Sequence, residues 1–265
     1  MNIQVKPGLR VEYEEAGQGS PVVLLHAFPL SHAMWEEQMD ALSREFRVLA
    51  PALRGFGGTT GFAAQPSIRQ MAEDLIEFLE ALKIDEPLVL GGLSMGGYVA
   101  LAFARAYPRR LRALVLADTR AEPDTEEGKE KRNQMIEFVR RHTPAEVIEK
   151  VLPGQTCDAT RESRPHIVGK ITDIATAQTN EALINALQAL RDRPDARPWL
   201  GSIAVPALVI VGAEDALTPP TMAQTLVDGM PNAQLAVIES AGHLSNLEQP
   251  EAFNEAVLTF LRSLL

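Results

Sequence analysis

At 265 residues, with 46% hydrophobic and 23% charged side chains, 18 glycines and 18 prolines, the chain has the composition of a folded globule, which excludes a disordered, collagenous or coiled-coil protein. Its 25 Lys and Arg against 35 Asp and Glu leave a net charge of −10. Such a surface repels phosphate backbones and anionic headgroups, so neither nucleic acid nor membrane is an expected partner.

Residues 1–20 carry acids and lack the apolar stretch of a leader, and the longest apolar run, 21–30, is interrupted by His26 and Pro29. A cytoplasmic setting is therefore expected. Cys157 is the sole cysteine, which excludes an intramolecular disulfide and a thiolate metal cluster. Residues 2–15 alternate around the turn pair Pro7-Gly8 and read as a hairpin. Apolar runs at 22–25, 48–50, 88–90, 111–116, 207–211 and 234–238 suit strands buried on both faces of a parallel sheet. Between them, 68–82 and 95–107 have helical periods. After Asp118 the alternation stops, and helical periods continue to Leu200 without a strand. Charge-rich stretches at 122–132 and 191–198 bracket this insertion and read as hinges, the first also as a solvated helix face. The fold class is α/β: a mostly parallel, doubly wound sheet with an inserted helical cap. Residues 1–118 and 201–265 form the two parts of the core, and 119–200 the cap.

Gly92-Leu93-Ser94-Met95-Gly96 fits G-x-S-x-G, a weak pattern alone. Its placement sharpens it, because Ser94 ends a buried strand and opens a helix, the setting of a nucleophile elbow. A sharp turn there requires glycines on either side, and the helix start offers the Met95 amide to developing negative charge. A serine hydroxyl needs a base. In a doubly wound fold with an elbow serine the order is serine, acid, histidine, and among the histidines only His243 falls late enough, after the last strand. Asp215, in the loop after strand 207–211, is the preferred acid, with Asp118 as its rival and Glu214 expected in solvent. The loop His26-Ala27-Phe28-Pro29 offers Phe28 as a second oxyanion donor, since Pro29 has no N–H. His26 reads as scaffold. Arg54-Gly55-Phe56-Gly57-Gly58 lacks the lysine of a phosphate loop, and neither metal-ligand spacing nor a dinucleotide fingerprint occurs, so no cofactor is expected.

Taken in order, these segments, with Gly212-Ala213-Glu214-Asp215 and His243-Leu244-Ser245-Asn246-Leu247-Glu248-Gln249-Pro250, resemble the α/β-hydrolase superfamily over 1–118 and 201–265. Within it the chain is similar to 3-oxoadipate enol-lactonases and related small esterases and lactonases. The resemblance implies a Ser94, Asp215, His243 triad, with the Phe28 and Met95 amides as oxyanion hole. Ala27 stands where a glycine is usual, and Ala52 where an aspartate is usual before Leu53-Arg54-Gly55. The first is expected to narrow the oxyanion loop and the second to alter only loop packing.

The expected activity is hydrolysis of a small ester or lactone through an acyl-enzyme, by a monomer or homo-oligomer. Alternatives with the same triad are an enol-lactonase proper, a perhydrolase or cofactor-free haloperoxidase, and a C–C bond hydrolase. A small-lactone receptor without turnover is a reading of another class. Phe28, Met34, Trp35, Met95, Phe138, Leu217 and Leu244 are candidate pocket residues, and Arg120 with the other cap arginines are candidate anchors for a carboxylated substrate.

Overall fold

The computed structural model describes residues 1–61 and 65–265. Asn2–Lys6 (β1) and Leu9–Ala16 (β2) form the opening hairpin, followed by Pro21–Leu25 (β3). A 3-10 turn, His32–Trp35, leads into Glu36–Leu42 (α1) and Arg47–Pro51 (β4). Then come Ile68–Ala81 (α2), Leu88–Leu93 (β5), Met95–Ala106 (α3) and Leu111–Ala117 (β6). Five helices follow: Glu126–Val139 (α4), Pro144–Gln155 (α5), Asp158–Ser163 (α6), Pro165–Thr176 (α7) and Asn180–Arg191 (α8). The chain closes with Ala207–Gly212 (β7), Pro220–Gly229 (α9), Ala233–Ile238 (β8), Ser245–Glu248 (α10) and Pro250–Arg262 (α11).

The strands form one eight-stranded sheet in the order β1-β2-β4-β3-β5-β6-β7-β8. β2 runs antiparallel to both its neighbours, and the pairs from β4 to β8 are parallel. Every residue of β3, β5 and β7 is buried, as continuous apolar runs require when helices cover both faces. One core lies beneath α2 and α3, the other beneath α1 and α11. β8 departs from the expectation of two-sided burial: it is the sheet edge, with Leu235 and Val237 exposed. Composition does not distinguish an edge strand from a central one. No helix among the described residues is long and apolar enough to cross a membrane.

Capping residues place the helices between β6 and β7. Thr125 accepts from the Gly128 amide and Thr179 from the Ala182 amide. Thr143 forms a reciprocal box with Glu146 ahead of Pro144, which satisfies amides that the first turn leaves free.

The charge-rich stretches flanking these helices are not free hinges. Asp124, 6% exposed, receives Arg120 at 2.7 Å, Arg193 at 2.9 Å and Arg132 at 3.1 Å. Arg193 is itself buried, bonds the Leu190 and Glu122 carbonyls, and lies over the Tyr98 ring at 4.4 Å. The Ala196 amide completes the junction on the Ala121 carbonyl at 2.8 Å. Both connections are thus knotted together where the sequence reads as solvated, because Asp124 and Arg193 meet only in three dimensions.

Burial works against the Asp124 charge, but Arg132 and Arg193 outweigh it and hold its pKa below the ordinary carboxylate value. This contribution is therefore complete above the unfolded-state pKa and fades as acid titrates the folded carboxyl. Asp124→Asn is expected to cost about 3–5 kcal/mol at neutral pH, because the arginines lose the charge that compensates them. Urea denaturation of both proteins at neutral and acidic pH checks this, with the difference shrinking in acid.

Candidate active site

β3 and β5 are adjacent and parallel, with Leu25 opposite Gly92. The chain therefore leaves both strands side by side at their carboxyl ends, where open α/β sheets carry their sites. Phe28 lies three residues beyond Leu25 and Met95 three beyond Gly92, so the register brings the loop of Phe28 and the turn of Met95 out together. Met95 is the first residue of α3, a position whose N–H has no acceptor within the helix.

Ser94 bridges β5 and α3 with φ 52° and ψ −108°, a strained conformation for a residue with a side chain. Its amide donates to the Ala117 carbonyl at 2.9 Å, and its carbonyl accepts from the Thr119 hydroxyl at 2.9 Å, so the end of β6 holds the turn. Glycine at 96 is a packing requirement, since a Cβ there would stand 2.1 Å from the Leu25 carbonyl oxygen.

The Ser94 hydroxyl lies 2.8 Å from His243 Nε2, and His243 Nδ1 lies 2.8 Å from Asp215 Oδ2. Asp215 also accepts from the Leu217 amide at 2.8 Å, the Thr218 amide at 2.9 Å and the Thr218 hydroxyl at 2.6 Å. An acceptor-only Asp215 puts the proton on Nδ1 and leaves Nε2 to accept from Ser94. Burial alone would raise the Asp215 carboxyl, but His243 and the Thr218 donors hold its pKa below the ordinary value. Burial likewise disfavours the His243 imidazolium, yet Asp215 reverses the effect and raises its pKa above 6.5. Glu214 is exposed, as expected.

Asp118, the rival acid, is fully buried at the end of β6 with φ 45°. It accepts from the Gly212 amide at 2.8 Å and meets the Ser245 hydroxyl, so it ties the loops of Asp215 and His243 from behind. Burial, then the neighbouring Asp215 charge, pushes its pKa up to about 8. Asp118 accordingly holds a proton near neutral pH and leaves the negative charge to Asp215.

His26 accepts from the Leu53 amide at 2.9 Å through Nε2 and donates to the Ala27 carbonyl at 3.0 Å through Nδ1. Burial lowers its pKa to about 3, so it is a neutral strut beneath the Phe28 loop. Arg54, flanking the Gly55–Gly58 segment, pairs with Asp74 of α2.

Several expected pocket residues lie elsewhere. Met34 is fully buried and takes the Ala27 amide on its sulfur at 3.2 Å, so it backs the loop after β3 from the core. Trp35 is core, packed near Phe253 at 6.1 Å. Phe138 stacks on His142 at 3.7 Å beneath Lys150 of α5, and so belongs to helix packing. Apolar residues look alike in sequence whether they fill a core or line a cavity. Leu217 and Leu244 adjoin Asp215 and His243 in the chain, Leu217 half exposed and set against Gly154 and Leu244 fully buried, while Phe28 is buried in the loop after β3. The candidate carboxylate anchors are also engaged. Arg120, Arg132 and Arg193 converge on Asp124, and the remaining arginines of 119–200 have acidic or carbonyl partners. Sequence reasoning missed the role of Glu248, a buried carboxylate behind the His243 loop, because in the mixed stretch Leu244-Ser245-Asn246-Leu247-Glu248-Gln249 nothing marks it as interior. No group of three or more His, Cys, Asp or Glu suited to a metal gathers among the described residues.

Comparison with known proteins matches residues 22–256 to the profile of the alpha/beta hydrolase family. A thermophilic esterase from Thermogutta terrifontis superposes with a TM-score of 0.93 at 40% identity, covering 97% of this chain and 94% of its own. A pimeloyl-[acyl-carrier protein] methyl ester esterase of Neisseria meningitidis is 34% identical over 88% of this chain and 90% of its own. The 3-oxoadipate enol-lactonase 2 of Acinetobacter baylyi is 29% identical over 93% and 91%.

Proposed function

Because the chain belongs to the alpha/beta hydrolase family, we propose that it hydrolyses small uncharged carboxylic esters or lactones through an acyl-enzyme on Ser94. The observation that carries this reading is the continuous hydrogen-bond chain Asp215–His243–Ser94, which ends on a serine exposed by a strained turn. His243 takes the Ser94 proton as the oxygen attacks the carbonyl, and the Phe28 and Met95 amides hold the oxyanion. The imidazolium then gives that proton to the leaving alkoxide, and water, activated by the same imidazole, releases the acid. The α4–α8 segment acts as a cap over the site.

The similarity to an enol-lactonase leaves a carboxylated lactone as the competing substrate class. The arginines of the cap favour an uncharged substrate, because each already has a protein partner: Arg120, Arg132 and Arg193 share Asp124, and the others bond acids or a backbone carbonyl. The test is a panel of p-nitrophenyl acetate, butyrate and octanoate with uncharged and carboxylated lactones, alongside mass spectrometry of enzyme treated with a fluorophosphonate. Turnover of uncharged substrates at least tenfold faster than carboxylated ones, with the label on Ser94, is expected. Saturable lactone binding without turnover would replace this reading with a receptor.

A further inference from the structure

His243 sits in a loop that the inserted helices grip from both sides. The Leu244 amide donates to the Gln155 carbonyl at 3.0 Å. On the other side, the Gly242 amide donates to Glu248 Oε1 at 2.8 Å, and the second oxygen of the same carboxylate accepts the Cys157 amide at 2.9 Å. Glu248 is 1% exposed, and its backbone carbonyl is capped by Arg164. The contact is close enough that a Cβ on Gly242 would stand 2.5 Å from the Cys157 nitrogen. A buried carboxylate saturated by two backbone amides is a rigid bridge, costly to break because each amide would be left without its charged partner.

We infer that Glu248 is a positioning residue for ester hydrolysis, coupling the place of His243 to the docking of residues 155–157. The inference rests on the proposed triad chemistry. One oxygen holds the residue that precedes His243, while the other holds the junction between α5 and α6, so neither can shift without the other. A displacement of about 1 Å in a catalytic group can cost on the order of 10²-fold in rate. Charge adds to reach: burial disfavours the imidazolium, Asp215 favours it most, and Asp118 and then Glu248 act in the same direction as Asp215.

Two variants separate reach from charge. Glu248→Gln keeps the length, loses the charge and turns an NH2 toward one of the two amides. Glu248→Asp keeps the charge but is too short to span both. With active sites counted by fluorophosphonate titration, both variants are expected to lose roughly 10- to 100-fold in kcat with KM little changed. The acid limb of kcat/KM should move to lower pH in Glu248→Gln and stay in place in Glu248→Asp. Wild-type kcat per titrated site in both variants, or losses that track the unfolded fraction alone, would overturn the inference. An NMR titration of His243 in wild type and Glu248→Gln reads the charge effect without any substrate, so failure of the ester reading and failure of this inference are told apart. A lower His243 pKa in the variant is expected, and an unchanged one refutes the coupling.

Discussion

Replacing Ser94 with alanine is expected to lower kcat on the preferred ester by on the order of 10⁶, with the melting temperature nearly unchanged. The two halves of this expectation have separate causes. Chemically, the Ser94 oxygen is the group that His243 Nε2 reaches at 2.8 Å, and alanine leaves the imidazole with nothing to deprotonate. Structurally, the turn is held by the amide bond to Ala117, the carbonyl bond from Thr119 and the approach of Gly96 to Leu25, none of which uses the hydroxyl. Alanine at φ 52° pays a backbone cost close to that of serine. Steady-state kinetics with thermal unfolding of both proteins measures this, and substantial activity in Ser94→Ala would mean that another group performs the attack.

Asp215→Asn is expected to lower kcat by on the order of 10⁴. In the asparagine variant the amide oxygen can keep the Leu217 and Thr218 backbone donors, which now meet Oδ1. The NH2 then takes the place of Oδ2 and faces His243 Nδ1, where it can only donate. The imidazole must turn its lone pair to Nδ1 and its proton to Nε2, so it no longer accepts from Ser94. Asp215 also raises the His243 pKa above 6.5, and without that charge the acid limb of any residual kcat/KM should move to lower pH. Asp118→Asn is the matched comparison. Burial and the neighbouring Asp215 charge raise the Asp118 pKa to about 8, so asparagine there removes little charge near neutral pH and can retain the Gly212 donor, and its loss of rate should be far smaller. Equal losses in the two variants would make Asp118 a partner of His243 in its own right.

The parts of this molecule that sequence made legible are those in which chain order and local chemistry carry the information. The succession of apolar runs and helical periods specifies a sheet with helices on both faces. Ser94 stands out because a strand, two glycines and a helix start coincide around one hydroxyl. His243 stands out through its position after the last strand. That these side chains lie within hydrogen-bond reach is a property of the folded chain, and the two substitutions above test what they do there. Three-dimensional properties were hidden. Met34, Trp35 and Phe138 are apolar in a way that suits a pocket as well as a core, and only packing assigns the first two to the interior and the half-buried Phe138 to its stack on His142. The exposure of β8 follows from its place at the end of the strand order, which its own residues do not encode. The Asp124 cluster joins positions nearly seventy residues apart in a stretch whose composition reads as solvent-facing.

That cluster bears on how such enzymes could be recombined. Arg120, Asp124, Arg132 and Arg193 all lie within 119–200, so a chimaera that transplants this segment onto another sheet carries that clasp with it, whereas Lys170, which pairs with Glu36 and Glu37, needs matching acids from the recipient. Glu248 is left behind on the donor, so the recipient must offer its own carboxylate at that place, while the graft's half of the contact is the amide of residue 157, which any side chain except proline supplies. The segment is therefore held closed by side chains that travel with it but docked in part by groups the new sheet must provide, a division that favours exchange of the whole block between closely similar sheets over piecemeal substitution within it.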